Sequence, residues 1–366
     1  MKYSTLIRCL FLTCAYILVA RAQNTQIGPA ATPLARERPA PGSPANVEAT
    51  QEASPQNAKA GEHDPRLDAI SIVKAAAANP KPLRLLVVGA HPADVFDQSG
   101  GTMAHHVQRG DWVGCAVMTT GVRVHDKVVA NELEALQEIP ESEELKQIFA
   151  ERAKVKEQEV LKACSLLGVR GEDMHFLGAD DAVLLVNEAM IHQIARLIRK
   201  LRPDVLITHF PHEDSGLGAH AVTGKMVVHA LALAGSVVPG DKRPPHNVTQ
   251  VFFFGIGSAA VRTHLWSSQG GFYNDVFVDI TDVADKKVAC LDAMASQGYA
   301  GAYARKRIDS SDGAFGNRVR IPYAEGFITL YSSVHYYLPV SPIDLEHAKA
   351  SDQNSINRKS YRISVP

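Results

Sequence analysis

The chain has 366 residues, of which 46% are hydrophobic and 21% are charged, and both values are typical of a globular protein. Its formal net charge is −1, from 38 basic and 39 acidic residues that are interspersed along the sequence. This balance argues against a nucleic-acid partner and against electrostatic attachment to an anionic membrane surface.

The N-terminus has the organisation of a secretory signal peptide. Lys2 and Arg8 precede a short apolar run over residues 9–20, and Ala20 and Ala22 occupy the two positions that a signal peptidase reads. The run is short for a membrane-spanning helix, which needs about 20 apolar residues, so an uncleaved anchor is the less favoured alternative. We therefore expect cleavage after Ala22, a secreted or periplasmic protein, and no stable membrane span after cleavage.

The sequence divides into four parts. After the signal peptide (1–22), residues 23–82 are rich in Ala, Pro, Gln, Asn and Glu and have few large apolar side chains, although residues 66–78 have the pattern of a short helix. Such a segment buries too little apolar surface to offset its ordering entropy, which predicts a flexible leader. We expect a single domain over residues 83–345 and a C-terminal tail over 346–366.

Within the predicted domain, strand-like and helix-like segments alternate. The predicted strands cover residues 83–90, 112–119, 173–177, 204–210, 251–255 and 275–279, and the predicted helices cover 102–108, 150–167, 188–200, 220–234 and 282–296. The first two strands are nearly continuous apolar runs, as expected for strands buried on both faces. This alternation predicts an α/β fold in which an open, mostly parallel sheet carries helices on both faces.

The cysteines do not predict a disulfide framework. Cys115, Cys164 and Cys290 remain after the signal peptide is removed, and each lies in an apolar stretch. Their odd number and wide spacing argue against both paired disulfides and a cysteine-rich zinc site. We expect three buried thiols.

Two predicted strand-end loops carry imidazole and carboxylate groups. The first strand is followed by His91-Pro-Ala-Asp94, and the loop after the fourth strand runs from His209 to His220. Because ligands bind at the carboxyl ends of parallel strands, both loops should face one edge of the sheet. A catalytic zinc ion takes three nitrogen or oxygen ligands and keeps one position open for water, and two histidines with one aspartate meet that requirement.

A nucleotide site at the same edge is a weaker alternative. The glycines at residues 100 and 101 lack the Gly-x-Gly-x-x-Gly spacing directly after a strand, and His91-Pro92 occupies that turn instead. On its own, however, a His-x-x-Asp pair is also a weak indication of a metal site.

Several motifs in order resemble the opening of the PIG-L/LmbE family. They are Ala-His-Pro-x-Asp at residues 90–94, Gly-Gly-Thr-x-Ala at 100–104, a strand segment at 110–121, a helical segment at 157–168, Phe-Leu-Gly-Ala-Asp-Asp at 176–181, and the loop that ends at His220. The resemblance covers roughly residues 83 to 235. It implies a Rossmann-like fold and zinc-dependent hydrolysis of N-acetyl groups from amino-sugar conjugates.

The resemblance also implies roles for individual residues. His91, Asp94 and His220 match the metal ligands, which would bind Zn²⁺ or another divalent metal. Asp181 matches a position that contacts substrate hydroxyls, and Asp214 in the second loop is a further candidate for substrate binding. The implied substrate is a small molecule or a glycan.

The chain departs from the family pattern at two positions. Ala93 stands where the family has its general-base aspartate, and Leu217 stands where it has a histidine that assists the acid step. Loss of a general base typically lowers the rate by about a hundredfold or more. One interpretation is therefore a catalytically altered or inactive, metal-stabilised carbohydrate-binding protein.

The other interpretation is that a different group transfers the proton. We favour Asp97 and His125 as catalytic residues, with Glu213 and Asp214 as further candidates in the second loop. For each of them, a solvated loop charge or a helix cap is the competing interpretation. His209 is a candidate for a hydrogen bond to one of the ligands.

Overall fold

The computed structural model describes residues 81–133, 135, 139–213, 218–256, 273–335 and 337–360. The predicted signal peptide, the leader up to residue 80 and the predicted helix over residues 66–78 lie outside the described residues. Within the described ranges, no helix combines the length and the apolar character needed to cross a membrane.

Seven described strands form one mixed sheet. They are β1 (Arg84–Gly89), β2 (Trp112–Thr119), β3 (Met174–Ala179), β4 (Val205–Thr208), β5 (Gln250–Phe254), β6 (Val276–Asp279) and β7 (Ala324–Thr329). Their order is β3-β2-β1-β4-β5-β7-β6. The first five strands pair in parallel, whereas β7 is antiparallel to both of its neighbours. The predicted α/β fold with a mostly parallel sheet is confirmed.

Helices follow most strands, and the structure describes eleven of them. They are α1 (Asp94–Asp97), α2 (Gly100–Gln108), α3 (Val122–His125), α4 (Ser142–Leu166), α5 (Glu188–Leu201), α6 (Gly218–Ala234), α7 (Ala284–Asp292), α8 (Ala302–Ser310), α9 (Asp312–Arg318), α10 (Pro342–Lys349) and α11 (Asp352–Lys359). Helix α4 begins soon after Pro140, eight residues earlier than predicted, and α7 is shorter than its prediction because short 3₁₀ turns flank it.

The strand order places a switch point between β1 and β4. The chain passes from β1 to β2 and β3 in one direction, and it returns to β4 and β5 on the other side of β1. Right-handed crossovers therefore place α2 and α4 on one face and α5 and α6 on the other. The packing agrees, because α2 and α4 both contact α7 while α5 contacts α6. In such sheets the ligand site lies at the carboxyl ends of the two strands at the switch point.

Strand β7, which was not predicted, connects the late part of the chain to the start of α2. Glu325 in β7 is 1% exposed, and its two carboxylate oxygens accept hydrogen bonds from the backbone N–H groups of Gly101 and Thr102, each at 2.8 Å. These amides belong to the first turn of α2, where backbone donors have no partner within the helix. Lys287 balances the buried charge at 2.8 Å.

Helix α6 packs very closely on the loop that follows β4. A Cβ atom at Gly224 would lie 2.3 Å from the carbonyl oxygen of His209 and 3.1 Å from the nitrogen of Pro211. Only glycine therefore permits this approach without a shift of the helix. The contact places His220, one helical turn before Gly224, against the carboxyl ends of the central strands.

Among the described residues, Cys115, Cys164 and Cys290 are free and buried, as predicted. At the other end of the described chain, α10 and α11 carry no buried residues. The domain boundary at residue 345 stays a prediction.

Candidate metal centre

Three side chains predicted as ligands come together at the switch point. His91 follows β1, Asp94 begins α1, and His220 lies in the first turn of α6. Nδ1 of His91 lies 3.1 Å from Oδ2 of Asp94 and 3.2 Å from Nε2 of His220, and the third distance, from Nε2 of His220 to Oδ2 of Asp94, is 3.3 Å. All three residues are buried. The two loops thus present two nitrogen atoms and one oxygen atom as a nearly equilateral triangle.

This triangle fits a small divalent cation. Ligand atoms that bind a tetrahedral zinc ion at about 2.0–2.1 Å lie about 3.3 Å from one another. The three observed distances are close to that separation, and two imidazoles with one carboxylate are a donor set that zinc accepts in sites with an open position. The three residues can therefore hold a divalent metal together.

Glu213 lies directly behind two of the imidazoles. Its side chain is fully buried, and Oε1 accepts a short hydrogen bond from Nδ1 of His220 while Oε2 lies 3.3 Å from Nδ1 of His209. The rings of His209 and His220 stack with their centroids 4.1 Å apart. Nε2 of His209 accepts the backbone N–H of Ala90 at 3.1 Å and lies 3.2 Å from Oδ2 of Asp94. His209 is thus in contact with a predicted ligand.

The charges of this cluster favour a positive charge at its centre. Burial raises the pKa of Asp94, but His220 and His91 outweigh this effect and hold the pKa well below its usual value. Burial also raises the pKa of Glu213, but hydrogen bonds from His209 and His220 lower it to about 2. Burial lowers the pKa of His220, whereas Asp94 and Glu213 raise it to about 10. Two ionised carboxylates therefore flank the imidazoles.

His125 lies against this cluster at the end of α3. Its ring meets the ring of His91 edge to face, with centroids 4.4 Å apart. Burial, followed by the effect of His91, lowers the pKa of His125 to about 3. His125 is therefore a neutral imidazole near pH 7, in a half-buried position beside the ligands.

Helix α3 is held in place by two buried side chains. Asp181 accepts hydrogen bonds from the backbone N–H groups of Arg123 (3.2 Å) and Val124 (2.8 Å), and Nζ of Lys156 donates to the carbonyl oxygen of His125 at 3.1 Å. The carboxylate of Asp181 thus anchors the segment that carries His125. Its predicted contact with substrate stays a prediction.

Asp97 points into a buried ion pair. Its two oxygens accept hydrogen bonds from the guanidinium of Arg307, one of them at 2.7 Å from Nε, and Gln98 donates to the same carboxylate at 3.1 Å. A carboxylate held in this way is poorly disposed to accept a proton from a reacting group, although its catalytic role is untested. The predicted substrate-binding residue Asp214, and Leu217, lie outside the described residues.

The chain is similar in sequence to one family profile and to several known enzymes. The profile of the GlcNAc-PI de-N-acetylase family, PIG-L, matches residues 86–231. The chain is 26% identical over 219 residues to the 4-oxalmesaconate hydratase of Pseudomonas putida, a match that covers 58% of this chain and 73% of the hydratase. It is 27% identical over 201 residues to a 1D-myo-inositol 2-acetamido-2-deoxy-alpha-D-glucopyranoside deacetylase of Segniliparus rotundus, and this match covers 49% of this chain and 60% of the deacetylase.

Two solved structures share the fold. The 4-carboxy-2-hydroxymuconate hydratase of Pseudomonas putida has a TM-score of 0.56 at 21% identity, with 70% of this chain and 100% of that chain covered. The N,N'-diacetylchitobiose deacetylase of Pyrococcus horikoshii has a TM-score of 0.52 at 19% identity, with 72% of this chain and 91% of that chain covered. Residues 86–231 of the chain therefore carry a PIG-L domain, the domain of the GlcNAc-PI de-N-acetylase family.

Proposed function

We propose that this protein is a metal-dependent hydrolase that removes an N-acetyl or other N-acyl group from an amino sugar or its conjugate. The observation that carries the proposal is the triangle of His91, Asp94 and His220 at the switch point, whose sides are 3.1–3.3 Å. A bound Zn²⁺ or similar ion would polarise the acyl carbonyl and lower the pKa of water. The named deacetylases among the relatives support the substrate class.

The proposed mechanism needs a group that transfers a proton in place of an aspartate at position 93. Ala93 is buried and has no ionisable group. We assign the role to His125, because its ring lies against His91 and because α3 is anchored by Asp181 and Lys156. Asp97 is the alternative, but its carboxylate is occupied by Arg307. General acid–base catalysis by a positioned imidazole contributes about 10²–10⁴-fold in rate.

The central test measures metal content and acetate release on the same preparations. Wild-type protein should bind one zinc ion per chain and release acetate from an N-acetylated amino sugar, and His91→Ala should lose both properties. His105→Ala is a matched control, since His105 pairs with Asp282 in an exposed contact. Undiminished metal content in His91→Ala, or a wild type that binds no metal, would contradict the proposal.

The variant Ala93→Asp tests whether the native chain lacks an efficient base at this position. A rise in hydrolysis would show that the metal centre is competent and that proton transfer limits the native rate. No change would indicate that another group already supplies this step.

A hydratase is the second candidate function. One relative at 26% identity is named as a hydratase, and this chain lacks the carboxylate that defines the deacetylase pattern. Such an enzyme would add water to a carbon–carbon double bond of a small carboxylate, so the loss of ultraviolet absorbance of a conjugated acid, without acetate release, would favour it. Metal binding with neither reaction would favour the inactive, carbohydrate-binding alternative.

A further inference from the structure

We propose that Glu213 is a positioning residue that fixes His209 and His220 in one tautomer and thereby orients the ligand atom of His220 before the ion binds. This inference rests on the proposed metal centre and deepens it. The contacts of Glu213 with two imidazoles carry the inference.

The tautomers follow from the hydrogen-bonding chemistry of an ionised carboxylate, which only accepts. Oε1 of Glu213 faces Nδ1 of His220, and Oε2 faces Nδ1 of His209. Each Nδ1 must therefore carry a proton, so in the neutral form that can bind a metal the lone pair of each ring lies on Nε2. The three side chains are at most 1% exposed, so water does not compete for these hydrogen bonds.

The lone pair of His220 faces the candidate metal site, and the lone pair of His209 faces a backbone N–H group. Nε2 of His220 lies 3.2 Å from Nδ1 of His91 and 3.3 Å from Oδ2 of Asp94, where a cation would be bound. Nε2 of His209 accepts the backbone N–H of Ala90, which immediately precedes His91. One carboxylate thus links the end of β1, the loop after β4 and the start of α6.

A second ion bound by His209, Glu213 and His220 is the competing interpretation, since their ligand atoms also lie within 4.8 Å of one another. The geometry argues against it. Nε2 of His220 faces His91 and Asp94 while its Nδ1 faces Glu213, so a second ion beside Glu213 would require a fully deprotonated imidazolate that bridges two ions. The structure assigns Glu213 a hydrogen-bonding role rather than a place among the ligands.

The substitution Glu213→Gln tests this assignment while keeping the shape of the side chain. An amide offers one acceptor oxygen and one donor nitrogen, so one of the two rings can no longer donate from Nδ1 to it. We expect zinc affinity, measured by competition with a chromophoric chelator, to fall by about 10–100-fold. Glu172→Gln, which changes an exposed carboxylate paired with Arg170, should leave the affinity unchanged.

A second measurement distinguishes positioning from a general loss of structure. Long-range ¹H–¹⁵N NMR spectra should show Nδ1 protonated in both His209 and His220 of the wild type, and altered nitrogen shifts for at least one ring in Glu213→Gln. Unchanged zinc affinity in this variant, an unprotonated Nδ1 in the wild type, or two zinc ions per chain falling to one would each overturn the assignment. If the wild type binds no zinc, the proposed metal centre is wrong, whereas the nitrogen shifts still test Glu213.

Discussion

Replacement of Gly224 by alanine should weaken metal binding although Gly224 does not touch the ion site. The added Cβ would lie 2.3 Å from the carbonyl oxygen of His209, so α6 has to move away by at least ~0.7 Å to reach a tolerable contact. His220 lies four residues earlier on the same face of the helix and moves with it. Ligand distances in metal sites are held to about ±0.2 Å, so this shift is several times larger than the site tolerates.

The expected loss of zinc affinity is about tenfold or more, and overpacking should also lower the free energy of unfolding by about 1–3 kcal/mol. The matched control is Gly218→Ala in the same helix, where a Cβ meets nothing within 4 Å. Chelator competition measures zinc affinity, and urea unfolding measures stability. If both variants bound zinc as tightly as the wild type, the idea that close packing at Gly224 positions His220 would be refuted.

Three further predictions concern other parts of the chain. Asp97→Asn should lower the free energy of unfolding in urea by about 3–5 kcal/mol, because it leaves the buried Arg307 without its carboxylate partner. The control Glu143→Gln, in an exposed ion pair, should lower it by at most about 1 kcal/mol. Loss of activity at unchanged stability in Asp97→Asn would instead make Asp97 a catalytic residue. His125→Gln should lower kcat by about a hundredfold or more with zinc content unchanged, and full activity in this variant would exclude His125 from proton transfer. N-terminal sequencing of the exported protein should begin at Gln23, and recovery of the intact N-terminus would contradict signal cleavage.

The parallel part of the fold was predictable because its elements carry strong local patterns. Leu85, Leu86, Val87 and Val88 are all fully buried, as the continuous apolar run of the first strand predicts. Strand β7 has no such pattern, since Glu325 and Gly326 interrupt it. Glutamate is tolerated in this buried strand only because the amides of α2 and the ammonium of Lys287 pair with it, and these partners are distant in sequence.

The candidate ligands were predictable for a similar reason, and their surroundings were not. His91 and Asp94 are three residues apart in one strand-end turn, so local spacing brings them together. The partner of Asp97 is Arg307, which is 210 residues away. The sequence does not distinguish Glu213 from Asp214, and the hydrogen bonds of Glu213 to two imidazoles depend on loop geometry that no local pattern predicts. Long-range ion pairs leave no periodic pattern from which they can be predicted.

The buried carboxylate of Glu325 also bears on how far the family domain is independent of the rest of the chain. The profile match ends at residue 231, yet the amides at the start of α2 are satisfied from β7, far beyond that point. A shortened chain ending at residue 231 would lose these acceptors together with the strand that covers β4, and we expect it not to fold. The matched domain would then be smaller than the unit that folds cooperatively. A substitution at Glu325 can therefore alter the start of α2 while every candidate ligand stays the same.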